Sequence, residues 1–317
     1  MGFYDIFNGD ADGLCAIQQL RLVEPVAATC VTGTKREIAL VERVTVAPGD
    51  RLTVCDLSLE VNGPAARRAL EAGAVIRWFD HHRAGALPPH AALELHLDAA
   101  ADTCSSAIVD RHLAGAHRGW AVVGAFGDNL AGTAQRLAAT LGLGAAPTDL
   151  LRRLGEGLNY NAYGDDVREL LFDPADLHRR MAGIDDPLQF ADSDTAFATL
   201  EDSMRDDLAR SGALRPVLET AAVACLELPD AAWSRRVSGV LANRLAREHP
   251  QRAHALLTPS RGAYTVSIRA PLADPRGADR VAVAFARGGG RAGAAGINGL
   301  PADEVSRLLN ALRRVYG

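Results

Sequence analysis

Lysine is almost absent from this chain: Lys35 is the only one in 317 residues, and arginine carries the remaining basic charge. Schiff-base or lysine-nucleophile chemistry would have to rest on that single side chain, and is discounted. Positive charge is also short overall. The formal net charge of −5 argues against a protein that coats duplex DNA through a broadly basic surface, though not against a short or single-stranded substrate held by a few arginines. The five cysteines, Cys15, Cys30, Cys55, Cys104 and Cys225, show no C-x-x-C spacing and lie mostly in apolar runs, as buried free thiols do. A reducing cytoplasm fits that usage. No apolar run has the length of a signal peptide or membrane span, so a cytoplasmic protein with no membrane partner is expected. Internal repeats and low-complexity tracts are missing too.

What is present is an ordinary globular composition, 48% hydrophobic and 23% charged, in a chain long enough for two domains. The apolar run Ala74–Phe79 has the character of a buried strand and leads into Asp80-His81-His82. Phe3–Phe7 leads in the same way into Asn8-Gly9-Asp10-Ala11-Asp12-Gly13, and Leu52–Cys55 into Asp56. Helical patterns separate these strands: Leu14–Val23, Arg36–Val44 and Ala65–Ala72, with Gly13 read as the residue that lets the backbone turn. The alternation predicts an α/β fold with a doubly wound, mainly parallel sheet, in which ligands collect outside the carboxyl ends of the strands. Asp10, Asp12, Asp56 and Asp80 crowded there would repel one another unless a cation compensated them. A mixed set of carboxylates and imidazoles suits manganese, iron or zinc.

These motifs, in this order, resemble those of the DHH phosphoesterase superfamily, which includes RecJ-type exonucleases, nano-RNase and phosphoadenosine-phosphate phosphatases. The series Asn8–Gly13, Cys55-Asp56, Asp80-His81-His82 and Gly124–Asn129 resembles its four motifs, and Arg287–Gly296 its glycine-rich C-terminal signature. The resemblance implies a DHH catalytic domain over 1–192, a helical linker over 193–215 and a smaller α/β substrate-binding domain over 216–317. It implies two manganese ions, with magnesium as the substitute: Asn8 and Asp10 at one, Asp12, His81 and Asp128 at the other, Asp56 bridging them. His82 would contact the scissile phosphate or protonate the departing oxygen, with Asp80 orienting the histidine pair. Two departures stand out, because Ile6 and Asn8 occupy places where branches of the family carry a histidine or an aspartate ligand. Arg291 likewise replaces a usual histidine.

For substrate contacts the expectation is Arg83 and the amides and hydroxyls of Ser105 and Ser106 at a helix N-terminus. In the second domain it is Arg269 with Gly288, Gly289, Gly290 and Arg291, the glycines admitting close backbone approach to a phosphate. Asn159–Gly164 is read as a helix-linking loop, and Val281–Ala286 as a helix entering the glycine run. The leading expectation is a nuclease releasing mononucleotides from short RNA or single-stranded DNA. A phosphatase or phosphodiesterase for a small nucleotide, such as phosphoadenosine phosphate or a dinucleotide messenger, is the alternative; a catalytically silent nucleotide- or partner-binding protein is the third. A homodimer is compatible with each.

Overall fold

The structure is a computed structural model that describes residues 1–83, 85 and 89–317. It divides into two compact units, Met1–Glu201 and Asp202–Gly317. The first unit runs through β1 (Phe3–Phe7), α1 (Ala11–Val23), β2 (Thr29–Val31), β3 (Arg51–Cys55), α2 (Leu59–Glu71), β4 (Val75–Asp80) and β5 (Leu93–Leu97). It continues through α3 (Ser105–His112), α4 (Arg118–Gly127), α5 (Ala131–Thr140), α6 (Ala145–Asn161), α7 (Pro174–Met181) and α8 (Pro187–Ser193), and α9 (Thr195–Ser211) carries the division between the units.

The five strands pair in parallel in the order β2-β1-β3-β4-β5. Alternation along each strand sorts the side chains onto two faces. Ile6, Leu52, Val54, Ile76 and Trp78 join Leu59, Ala66 and Leu70 of α2 in one apolar core. Burying each large side chain there contributes about 1.5–3 kcal/mol. Asp5 and Thr53 point to the other face, where Arg21 of α1 bonds both carboxylate oxygens of Asp5 and the Thr53 hydroxyl. Helices therefore cover both faces, and the sheet is doubly wound as expected. Its strand order reverses between β1 and β3, so the crevice opens where Asn8 and Asp56 leave their strands.

Three local expectations are corrected. Gly13 does not turn the chain; it lies inside α1, and a Cβ there would stand 2.1 Å from the carbonyl oxygen of Asn8. Arg36–Val44 is not a helix beyond a single 3₁₀ turn at Val41–Arg43. The buried Asn62 side chain accepts from the Val41 N–H and donates to the Ile38 carbonyl, so tertiary bonds supply what a helix would have supplied. Asn159–Asn161 belongs to α6 rather than to a linking loop.

The second unit holds β6 (Pro216–Glu219), β7 (Val223–Glu227), α10 (Ala232–Glu248), β8 (Ala253–Ser260), β9 (Ala263–Arg269), α11 (Ala278–Ala282), β10 (Gly288–Gly290), β11 (Ala294–Leu300) and α12 (Val305–Tyr316). Its mixed sheet has the order β10-β11-β9-β8-β7-β6. The glycine run is thus an antiparallel strand, and the helix before it ends at Ala282 instead of continuing to Ala286. Packing accounts for two of the glycines: a Cβ on Gly288 would lie 1.9 Å from the Ala282 carbonyl oxygen, and Gly290 has φ +143° with Ala295 Cα in the way. Among the described residues, no helix is long and apolar enough to cross a membrane.

Candidate metal centre

The switch-point crevice of the first unit gathers Asn8, Asp10, Asp12, Asp56 and Asp80, all buried, with His81 and His82. Asp10 caps α1: its Oδ1 accepts from the N–H groups of Asp12 and Gly13 at 3.0 and 3.1 Å. Its Oδ2 forms an ion pair with Lys35. Asp12, in the first turn of α1, points at the start of α3, where the Ser105 and Ser106 N–H groups donate to its two oxygens at 2.7 and 2.8 Å. The anion at that helix N-terminus is therefore the protein's own aspartate. This revises the expectation that those amides contact substrate phosphate; the Ser105 hydroxyl is also engaged, donating to Asp56 at 3.1 Å.

Asp56 has φ +57°, a left-handed conformation that aspartate tolerates better than most residues, and it lies just beyond β3. His81 follows β4, and its Nδ1 stands 2.9 Å from the Thr103 carbonyl. A carbonyl only accepts, so Nδ1 carries the hydrogen and Nε2 is turned towards the acids. Around Nε2 lie Asp56 Oδ1 at 3.4 Å, Asp128 Oδ2 at 3.9 Å and Asp12 Oδ2 at 4.0 Å. Donors bound to one ion at about 2.0–2.2 Å lie roughly 3–4 Å from one another, so each acid stands within ligand-to-ligand reach of Nε2, and the ligand atoms of Asp56, His81 and His82 all lie within 4.8 Å of one another.

The electrostatics agree. Burial pushes the Asp56 carboxyl well above its ordinary range, and the charges of Asp10 and Asp12 push it further. Burial raises Asp128 to about 6, with Lys35 opposing and Asp12 adding to the rise. Burial disfavours charge on His81, but its bond to Asp56 and the surrounding carboxylates bring it up to about 10. These groups bind a proton tightly because they form an anionic pocket suited to a cation. Asp10 differs, since burial would raise it but Lys35 holds it below the usual carboxylate value.

His82 lies beside this set, its side chain 44% exposed and its Nδ1 2.7 Å from Oδ1 of the buried Asp80. Asp80 Oδ2 is buried without a hydrogen-bond partner among the described residues. Arg83 is exposed. In the second unit, Arg269 Nε donates to Asn243 Oδ1 at 2.8 Å, and Arg291 sits in the β10–β11 turn with its N–H on the Ala294 carbonyl. Sequence reasoning passed over Lys35 and Asn159, which meet at 3.2 Å beside Asp10, and the orienting carbonyl of Thr103. The one available signal was a solitary lysine close behind the end of a strand.

No protein-family model and no curated protein matches the chain. Solved structures do. A DHH-domain protein described as a member of a family of ribosomal proteins superposes with a TM-score of 0.64 at 12% identity, over 99% of this chain and 86% of its own. RecJ from Thermus thermophilus, in complex with Mn2+, gives 0.63 at 20% identity, over 98% of this chain and 51% of its own. The pGpG-specific phosphodiesterase PggH from Vibrio cholerae gives 0.51 at 13% identity, over 98% and 99%. At these identities the likeness establishes the architecture: the chain has the fold of DHH-domain proteins.

Proposed function

We propose that the chain is a manganese-dependent phosphoester hydrolase that releases mononucleotides from short RNA or single-stranded DNA. The observation that carries the reading is the convergence of Asp12, Asp56 and Asp128 on Nε2 of His81, beside a second histidine free to move a proton. Mixed oxygen and nitrogen donors suit Mn2+ better than Mg2+ or Ca2+. A divalent ion held there supplies Lewis acidity, acidifying water and neutralising charge on a phosphoryl group.

The rest of the work falls to side chains. Asp80 fixes the His82 tautomer by accepting from Nδ1–H, which leaves Nε2 to hold and deliver a proton to the departing oxygen. Thr103 and Ser105 hold His81 and Asp56 in register. The net charge of −5 favours short substrates, since long polyanions gain little from the surface. Likeness in fold to a manganese-bound RecJ and to a dinucleotide phosphodiesterase supports the substrate class.

The test is hydrolysis with Mn2+ of end-labelled RNA and single-stranded DNA, from dinucleotides to long strands, alongside phosphoadenosine phosphate and an Asp56→Asn control. Mononucleotides released from short oligomers, and lost in the control, are expected. Turnover of phosphoadenosine phosphate alone would move the assignment to a small-nucleotide phosphatase. Absence of turnover throughout would overturn it.

A further inference from the structure

The groups on the Asp10 side of the crevice do not suit a metal ion. Asp10 and Asp12 both accept backbone N–H groups, but Asp10 alone has its other oxygen, Oδ2, paired with a cation, the Lys35 ammonium. The Asn8 amide is engaged too: its oxygen accepts from the Asp10 N–H and its nitrogen donates to the Lys35 carbonyl, each at 3.3 Å. Ile6 is fully buried in the sheet core and offers no ligand.

Resting on the hydrolase reading above, we propose that Lys35 takes the place of one of the two metal ions, so that the centre operates with a single divalent ion and a fixed ammonium. Lys35 is not a surface side chain that has swung inward. Its N–H donates to the Ala162 carbonyl at 2.8 Å, its ammonium donates to Asn159 Oδ1 at 3.2 Å, and that ammonium lies 5.7 Å from the centre of the Tyr163 ring. The end of α6 and the residues that follow it thus hold the cation against Asp10. A second divalent ion on the Asp10 side would lie against the ammonium and be repelled by it. Ile6 and Asn8 bring no charge to this side of the crevice and Lys35 does: a covalently attached cation stands where a mobile one would sit.

The measurement is metal stoichiometry and spin coupling in tag-free protein. A second trio able to hold a metal, Glu94, His96 and His112, is disabled in every sample by His96→Gln. With Lys35 intact, equilibrium dialysis should find about one tightly held Mn2+ per chain, with the electron paramagnetic resonance spectrum of an isolated ion. Lys35→Arg should keep both features. Lys35→Gln frees Asp10 and should admit a second ion with an exchange-coupled spectrum. Two coupled ions in protein retaining Lys35 overturn the proposal, as does a folded Lys35→Gln protein that still takes up only one. If Lys35→Gln does not fold, the stoichiometry with Lys35 and with Lys35→Arg decides. Failure of the hydrolase reading looks different: no substrate is turned over, whatever the ion count.

Discussion

At the scale of single residues, each group in the crevice has one task set by its partner. His81 presents Nε2 because Thr103 takes Nδ1–H, and His82 presents Nε2 because Asp80 takes Nδ1–H. In the proposed hydrolase the two imidazoles, with ring centres 4.5 Å apart, divide into a ligand and a proton carrier. His82→Ala should lower kcat by about 10²–10⁴-fold while leaving Mn2+ affinity unchanged. A substrate with a p-nitrophenolate leaving group, which departs without a proton, should recover most of the loss; a defect of equal size on that substrate would remove His82 from the acid role. Most of this site was legible in sequence, because Asp and His after short apolar runs mark strand ends. Lys35 was not, since the lysine and Asp10 are distant in sequence and only the fold brings them together.

At the scale of elements, glycine positions record close packing. Gly13 lets the first turn of α1 approach the end of β1, which is what sets Asp10 and Asp12 at the crevice. Gly13→Ala should destabilise the protein by about 2 kcal/mol or more and weaken Mn2+ binding with it, read by urea unfolding and metal titration. A variant with wild-type stability would mean that the turn relaxes around the new methyl group. The missed helix at Arg36–Val44 teaches the complementary lesson. Apolar spacing there fits a helix, but the Asn62 side chain, reachable only after α2 packs, bonds the same backbone groups. The glycine run is similar, because its strand identity depends on β11 as a partner.

At the scale of the whole molecule, the anionic crevice costs stability when no cation fills it. His81 and Asp128 have folded pKa values raised to about 10 and about 6, so each contributes stability fully present below its unfolded value. That contribution is lost as pH rises through about 6 for Asp128 and towards about 10 for His81. Metal-free protein should therefore lose Tm between about pH 5 and pH 9, and added Mn2+ should raise Tm more at about pH 8 than at about pH 6, where protons compete for the same donor atoms. A Mn2+ shift that does not depend on pH would contradict the assigned ligand set. The sequence by itself determined the strand-end donors and the alternating α/β pattern, because both follow from local spacing and residue type. Only the tertiary structure decided that Asp12 closes α3, that Thr103 turns His81 and that Lys35 meets Asp10. Those are contacts between distant segments, fixed by how the sheet and helices pack and by no local preference.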